Sequence, residues 1–183
     1  MPTVDEVRPA RCPCCGSASR PSGQILRLHG HGLRVRQMLG PQAALAEPVA
    51  ANVPCRRYLC LICDAVVLVV PGAMLSRRWY SASAIAQALA LFGLEQKSPA
   101  EIRRQTSPFT VVGATAVVGW ATLYRWCDDV RDGRLFSDVR RCPDEFTRRQ
   151  VAERAATTIG SRAPPPVAAS LTVRAFVGGA RAA

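Results

Sequence analysis

Two short stretches, "CPCCG" at residues 12–16 and "CLICD" at residues 60–64, decide the fold of the N-terminal part of this chain. Each places two cysteines two residues apart, and together they read C-x2-C-x44-C-x2-C. A two-residue gap lets a tight turn direct two thiolates at one ion, and two such turns supply the four sulfurs of a closed tetrahedral site. The spacing therefore predicts one structural zinc ion as cofactor. Its ligands are predicted to be Cys12, Cys15, Cys60 and Cys63.

The residues around the first pair favour a turn at this point. Pro13 fixes φ after the first cysteine, and Gly16 lets the chain turn back after the second. Between the two pairs, residues 24–39 alternate apolar and polar side chains around a glycine-containing centre, which predicts strands. A closed four-cysteine site leaves no position for a reactive water, so we expect the ion to stabilise the fold and not to catalyse a reaction.

Other uses of the eight cysteines compete with this interpretation. The N-terminus carries no secretory signal, which predicts a cytoplasmic protein whose thiols stay reduced, so a disulfide framework is disfavoured. Neither pair begins a thioredoxin-like βαβ unit, which disfavours a redox role. Cys127 and Cys142 are expected to be small apolar core residues. The residues that stay open as alternative ligands are Cys14, Cys55, His29 and His31.

The charge of the chain is strongly positive. It has 24 Lys+Arg against 13 Asp+Glu, a formal net charge of +11, and all of these basic residues except Lys97 are arginine. Guanidinium groups pair with phosphates, so a chain this basic is expected to bind a polyanion. The alternative explanation of the arginine excess is that a GC-rich genome encodes arginine wherever a solvated cation suffices. The arginine doublets are spread along the chain at residues 56–57, 77–78, 103–104, 140–141 and 148–149.

The pattern changes from strand-like to helical after Tyr80. A first helix is predicted within residues 81–93, with Ser83 as N-cap and Gly93 at its end. A short second helix is predicted from the capping box of Ser98 and Glu101, and it ends before Pro108.

A third helix is predicted within residues 119–133. One face carries Trp120, Leu123, Trp126, Cys127 and Val130, and the opposite face is mostly polar. This succession of helices is typical of a helix-turn-helix unit whose last helix reads DNA, although a plain core helix of a small bundle is the alternative. The connection of residues 106–119 is long for such a unit, and Asp128 and Asp129 place negative charge near the expected phosphates.

The residues predicted to contact DNA fall into two groups. On the third helix, Thr122, Tyr124 and Arg125 are expected to reach the groove. The residues expected to lie on phosphates are Arg56, Arg57, Arg77, Arg78, Arg103 and Arg104.

Five stretches carry a resemblance to a known family: "CPCCG", "LHGHGLRVR", "CRRYLCLIC", "RRWYSASAIAQAL" and "GWATLYRW", which together cover roughly residues 11–131. They resemble the zinc-ribbon plus helix-turn-helix segment at the N-terminus of bacterial insertion-sequence transposases, and small stand-alone proteins of the same layout. The resemblance implies binding of double-stranded DNA in the setting of a mobile element. Those transposases continue into an RNase H-like catalytic domain, for which this chain has no room, so we expect no nuclease or strand-transfer activity and no enzyme function.

The sequence thus predicts an α+β protein with a zinc ribbon at 1–76, a helix-turn-helix-like domain at 77–140 and a C-terminal helical extension at 141–183. In that extension, a helix capped by Asp144 and ended by Gly160 precedes a Pro-rich break. The extension is expected to pack on the rest of the chain, to contact a second copy in a homo-oligomer, or to touch DNA.

Two apolar stretches, 65–70 and 108–124, are too short or too rich in small residues to predict membrane spans. An adaptor that binds a transposase or polymerase subunit is the competing function. Single-stranded or structured RNA is a third candidate partner, and the small number of aromatic residues disfavours it.

Overall fold

A computed structural model of the chain describes residues 2–116, 119–165 and 169–182. The chain divides into two compact units. The first consists of Met1–Gln37 and Asn52–Pro71, and the second of Met38–Ala51 and Gly72–Ala183. The predicted α+β class agrees with the structure, which combines an antiparallel sheet with α-helices.

The sheet has three strands in the order β1-β2-β3: β1 (Leu28–Pro41), β2 (Pro48–Cys60) and β3 (Val66–Val69). β2 and β3 pair antiparallel from Arg56 opposite Val69 to Leu59 opposite Val66. The boundary between the two units falls inside β1 and β2. β3 comes from the apolar stretch of residues 65–70, so these valines form a short strand beside the second cysteine pair.

The first unit has a small apolar core. Its fully buried members are Cys12, Leu28, Tyr58 and Cys60, and two of the four are predicted metal ligands. The hydroxyl of Tyr58 donates a hydrogen bond to the Val4 carbonyl oxygen at 2.6 Å. A core of this size supplies little hydrophobic stabilisation, so such units depend on metal ions or disulfides.

The second unit is built around helices. In chain order these are α1 (Ala82–Gly93), α2 (Pro99–Thr106), α3 (Ala121–Arg131), α4 (Arg148–Gly160) and α5 (Leu171–Gly179). The long connection between α2 and α3 contains a 3-10 helix at Ala114–Ala116, whereas residues 117 and 118 of the same connection lie outside the described residues.

The first helix lies at the centre of the second unit. All twelve residues of α1 are buried, and α1 packs against α2, α3, α4 and α5. Its N-cap is Ser81, which accepts a hydrogen bond from the Ala84 N–H, and not Ser83 as predicted. Ser83 is instead buried inside the helix, because the elements packed around α1 cover the helix on every side.

The second helix agrees with its prediction. The Ser98 side chain accepts a hydrogen bond from the Glu101 N–H, and the Glu101 carboxylate accepts one from the Ser98 N–H. Pro99 occupies the first turn, and Ser107 is the C-cap, immediately before Pro108. The pattern is predictable because every contact in this cap joins residues at most three positions apart.

Replacing Ser98 with alanine should lower the free energy of unfolding by about 1 kcal/mol, because the N–H of Glu101 then loses its acceptor. Ser137→Ala, at an exposed serine in a turn, is the matched control and should change it by less than about 0.5 kcal/mol. Urea unfolding followed by tryptophan fluorescence measures both variants. Equal effects would contradict a stabilising cap.

The third helix presents the predicted apolar face to the core. Leu123, Trp126, Cys127 and Val130 are buried in the helix, and its N-cap Trp120 is buried as well. Trp120 and Trp126 lie 5.1 Å apart between ring centroids in an edge-to-face arrangement. This side of the helix is therefore fixed by packing, and the opposite side faces away from the core.

The last two helices complete the same core and do not form a separate extension. α4 and α5 pack against α1 and against each other, so residues predicted as a third domain at 141–183 belong to the second unit. The prediction of Asp144 as the N-cap of this helix is wrong. The N-cap of α4 is Thr147, whose side chain accepts a hydrogen bond from the Gln150 N–H in a capping box. Gly160 is the last residue of α4, as predicted.

None of the helices in the described part of the chain has both the length and the apolar character that a membrane-spanning segment needs.

Candidate metal centre and candidate nucleic-acid interface

The two cysteine pairs form turns with the same hydrogen bonds. In the first turn, the Gly16 N–H donates to the Cys12 carbonyl oxygen at 2.9 Å, and the Cys12 N–H donates to the Ser17 carbonyl oxygen at 2.9 Å. In the second turn, the Asp64 N–H donates to the Cys60 carbonyl oxygen at 2.9 Å, and the Cys60 N–H donates to the Ala65 carbonyl oxygen at 3.0 Å. Each cysteine pair is therefore held by a closed turn of matching length.

Each turn needs a left-handed residue after its second cysteine. Gly16 has φ of +72° and Asp64 has φ of +57°. Glycine adopts this conformation without steric cost, and aspartate is one of the few other residues that is enriched there. Gly16 is recognisable in this role from its residue type, whereas Asp64 is signalled only by its position directly after Cys63, which matches that of Gly16 after Cys15.

The two turns bring the four predicted ligands together. The sulfur atoms of Cys12, Cys15, Cys60 and Cys63 all lie within 4.8 Å of one another. The Cys12–Cys63 and Cys15–Cys60 sulfur distances are both 3.8 Å. Four sulfurs at about 2.3 Å from one ion in tetrahedral geometry lie about 3.8 Å apart. These four cysteines could hold a single metal ion.

Two of the clustered thiols, Cys15 and Cys63, have pKa values that shift in opposite directions. The Ser17 hydroxyl and backbone hydrogen-bond to Cys15 and lower the pKa of its thiol to about 6. The Ala65 backbone lowers the pKa of Cys63, but burial and the neighbouring thiols outweigh it and raise that pKa. Like charges this close oppose each other's ionisation, and a dication among the sulfurs removes that repulsion.

The other cysteines and the two histidines lie outside this cluster among the described residues. Cys14 is exposed within the first turn, and Cys55 is buried. His29 hydrogen-bonds the Leu26 carbonyl oxygen at 2.7 Å through its Nε2 atom. Cys127 and Cys142 are buried in the helical core, and burial raises the pKa of Cys127 to about 12. The last two therefore fit the predicted role of small core residues.

The predicted DNA-contacting residues of the first unit lie on β2. Arg56 donates from Nε to the Pro2 carbonyl oxygen at 2.8 Å, and its neighbour Arg57 is half-buried. The Arg56 guanidinium thus has one structural contact within its own unit.

The second unit contains a first cleft of about 370 Å³. Four predicted DNA-contacting residues line it: Arg77, Arg78, Thr122 and Arg125. The lining residues are Leu39, Arg77, Arg78, Trp79, Tyr80, Thr122, Arg125 and Trp126. Arg77 and Arg125 are exposed, and Arg125 Nη2 lies 3.4 Å from the Thr122 hydroxyl oxygen. The solvent side of α3 therefore meets the turn that precedes α1, and this side is cationic.

Acidic groups near this cleft are paired with arginines. Arg78 and Arg134 donate to the Asp129 carboxylate at 2.6 Å and 2.9 Å. Arg148 binds both carboxylate oxygens of Asp128 at 3.0 Å. The negative charge expected to oppose phosphate binding is thus compensated by these ion pairs.

The doublet of Arg148 and Arg149 serves the fold. Arg148 holds Asp128, and Arg149 donates to the Phe92 carbonyl oxygen at 2.7 Å while its guanidinium lies 4.3 Å from the centre of the Phe92 ring. Not every arginine doublet is therefore available to a polyanion.

The remaining predicted contacts do not line the first cleft. Arg103 and Arg104 line a second cleft of about 210 Å³ together with Ser107 and Phe109. Tyr124 packs against Phe92, with 6.2 Å between ring centroids, and the Arg148 guanidinium lies 5.1 Å from its ring centre. Tyr124 is thus occupied by contacts with the core and with Arg148.

One exposed aromatic residue of the first cleft, Trp79, is not among the residues predicted from the sequence to contact DNA. Trp79 is 63% exposed, whereas Trp120 and Trp126 are 5% and 2% exposed. Its position directly after the Arg77–Arg78 doublet was the available signal, because aromatic residues next to clustered arginines are typical of nucleic-acid surfaces.

The chain matches no protein-family profile, no curated protein and no solved structure.

Proposed function

We propose that this protein binds double-stranded DNA and that one zinc ion stabilises its first unit. The observation that carries the proposal is the cationic cleft beside α3, where Arg77, Thr122 and Arg125 line one surface. Guanidinium forks and hydroxyl groups are the side chains that bind phosphates and the edges of bases in the major groove.

Zinc is the metal that suits the four cysteines best. Sulfur ligands in a compact tetrahedral set are typical of structural zinc sites, which leave no open position for a substrate. Cys12 and Cys60 are 1% and 0% exposed, as expected for ligands that also form the core of a small unit. The proposal assigns the ion to stability and assigns no catalytic residue to the chain.

In this proposal α2 and α3 act as the helix-turn-helix-like part, and α3 is the reading helix. Its solvent side carries Thr122 and Arg125, while Arg103 and Arg104 on α2 contact phosphates. Arg56 and Arg57 of the first unit add further salt-dependent affinity. Tyr124 serves to position α3, because its ring is held between Phe92 and Arg148.

A mobile-element setting is the biological context that fits this activity. It rests on the resemblance to transposase N-terminal segments, and in that setting the DNA is a transposon end. The partner is then a duplex with a defined sequence, so base-specific and backbone contacts are separable by experiment.

We expect Arg125→Ala to abolish most sequence preference, with a loss of about 5- to 150-fold on the preferred site. Arg103→Ala should weaken all duplexes to a similar extent and reduce the slope of log affinity against log salt by about 1. The preferred site is first selected from random duplexes, and fluorescence anisotropy then gives affinities between about 50 and 200 mM salt.

The control for both variants is Arg140→Ala, which removes the same charge from another exposed position. Its effect should stay below that of the Arg125 and Arg103 variants. Unchanged sequence preference in the Arg125 variant would show that α3 does not read the bases.

An adaptor function is the second candidate, because the second cysteine turn exposes two large apolar side chains. Leu61 and Ile62 are 47% and 54% exposed. Exposed apolar residues on a rigid turn favour contact with another protein, such as a transposase or a polymerase subunit. If the purified metal-loaded protein ignores DNA at low salt, the adaptor function replaces the DNA-binding proposal.

A further inference from the structure

The exposed tryptophan of the first cleft is held in place by the backbone. The Leu39 N–H donates to the Trp79 carbonyl oxygen at 2.8 Å, and the Ser81 N–H donates to the Leu39 carbonyl oxygen at 3.1 Å. These bonds fix residues 79–81 as a short extended segment beside Leu39. Trp79 is therefore presented on a constrained segment and does not belong to a loose loop.

Extended backbone explains why one aromatic ring is buried and its neighbour is not. Successive side chains of an extended segment point to opposite sides. Tyr80 turns inward, with ring centroids 5.8 Å and 5.1 Å from Trp120 and Trp126, so Trp79 must turn outward. An exposed indole forgoes the stabilisation that burial of its large apolar surface provides.

The surroundings of Trp79 are cationic. Arg77 and Arg125 line the same cleft and are exposed, and within the described residues neither forms an ion pair with a carboxylate. Arg77 adopts φ of +58°, a left-handed conformation uncommon for arginine. Buried Leu39 and Trp126 add an apolar lining.

An aromatic face beside two unpaired guanidinium groups matches the two parts of a nucleotide. The indole offers a surface on which a base stacks, and the Arg77 guanidinium binds the adjoining phosphate, while Arg125 keeps its role on the duplex. The bases of an intact duplex already stack on each other, so a base must leave the stack before it can lie on Trp79.

We propose that Trp79 stacks on an unpaired base, and that the DNA preferred by this protein therefore contains a bulge, a hairpin end or a junction between duplex and single strand. This inference rests on the proposed DNA binding and specifies its substrate. The duplex part lies along α3 and Arg125, and the unpaired nucleotide lies against Trp79 and Arg77 in the same cleft.

The test compares two DNA molecules that differ in one nucleotide: a perfect duplex, and the same duplex with one unpaired adenine. Wild-type protein should bind the bulged DNA more tightly. Trp79→Ala should weaken binding of the bulged DNA by about 5- to 150-fold and leave binding of the perfect duplex nearly unchanged. Trp79→Phe should retain most of the preference, because it keeps an aromatic face.

The matched control is Phe109→Ala. Phe109 is 53% exposed and lines the second cleft, so its loss removes an exposed aromatic residue from a different place. This variant should keep the preference for the bulged DNA.

Fluorescence gives an independent readout that a purely structural role of Trp79 does not produce. Because the other two tryptophans are buried, the difference in emission between wild type and Trp79→Phe reports on Trp79. Bulged DNA should quench this difference signal, whereas the perfect duplex should quench it less.

The outcomes separate this inference from the function on which it rests. Equal binding of the two DNA molecules by wild type, or a preference that survives Trp79→Ala, would overturn the stacking role and leave DNA binding in place. Failure to bind either DNA at low salt would overturn both.

Discussion

Cys60→Ser is expected to release the metal ion and to unfold the first unit. Cys60 is one of the four clustered cysteines that could hold the ion, is 0% exposed and belongs to the small core around Tyr58. Structural zinc sites contribute about 10–16 kcal/mol of apparent binding free energy, and folding of such units is coupled to binding of the metal. Chelation of the wild-type protein should have the same effect.

Metal analysis should give one zinc ion per wild-type chain and none in the variant. All three tryptophans lie in the second unit, so their near-ultraviolet circular dichroism should persist when the first unit unfolds. Limited proteolysis with mass spectrometry should then find new cleavage sites within residues 1–37 and 52–71, which form the first unit.

The control is Cys14→Ser, in the same turn as Cys12 and Cys15. Cys14 is exposed and lies outside the sulfur cluster, so this variant should keep its zinc and its resistance to proteases. A Cys60→Ser protein that retains both the metal and the fold would rule out the four-cysteine site.

Gly93→Ala should destabilise the second unit by about 3 kcal/mol or more, which corresponds to a fall in Tm of about 6–12 °C. A methyl group at this position would lie 2.6 Å from Glu153 Cα, closer than real contacts allow. The obstacle is the backbone of α4, so a change of side-chain rotamer cannot relieve it. The helices α1 and α4 would have to move apart.

Thermal unfolding followed by tryptophan fluorescence measures this effect. Gly72→Ala is the matched control, because a Cβ at Gly72 meets nothing within 4 Å and no left-handed φ is required there. That variant should unfold within about 2 °C of wild type. A Gly93→Ala protein as stable as the control would show that α1 and α4 do not need this close approach.

Gly93 illustrates how sequence and structure assign different roles to one residue. The sequence predicted it as the residue that ends the first helix, and it is indeed the last residue of α1. The tertiary structure gives it a second role, because α4 passes so close that no side chain fits. Sequence patterns do not reveal this constraint, since the two helices are far apart along the chain.

The first cleft likewise depends on contacts between segments that are far apart along the chain. Arg77, Thr122 and Arg125 were each predicted to contact DNA, but nothing in the sequence placed the turn before α1 beside α3. Likewise Tyr124 looked like a groove contact by its position on the helix, whereas contacts with Phe92 and Arg148 engage its ring. Which face of a helix is covered depends on distant residues that pack against it.

Local chemistry was determined by the sequence itself: the two cysteine turns, the capping box of Ser98 and the buried face of α3. These features depend on residues a few positions apart, whose spacing fixes hydrogen bonds and side-chain direction. Only the tertiary structure decided that α5 completes the core around α1 and that Trp79 faces solvent beside paired and unpaired arginines. Those outcomes depend on packing between segments far apart in the chain, because burial is a property of the whole unit.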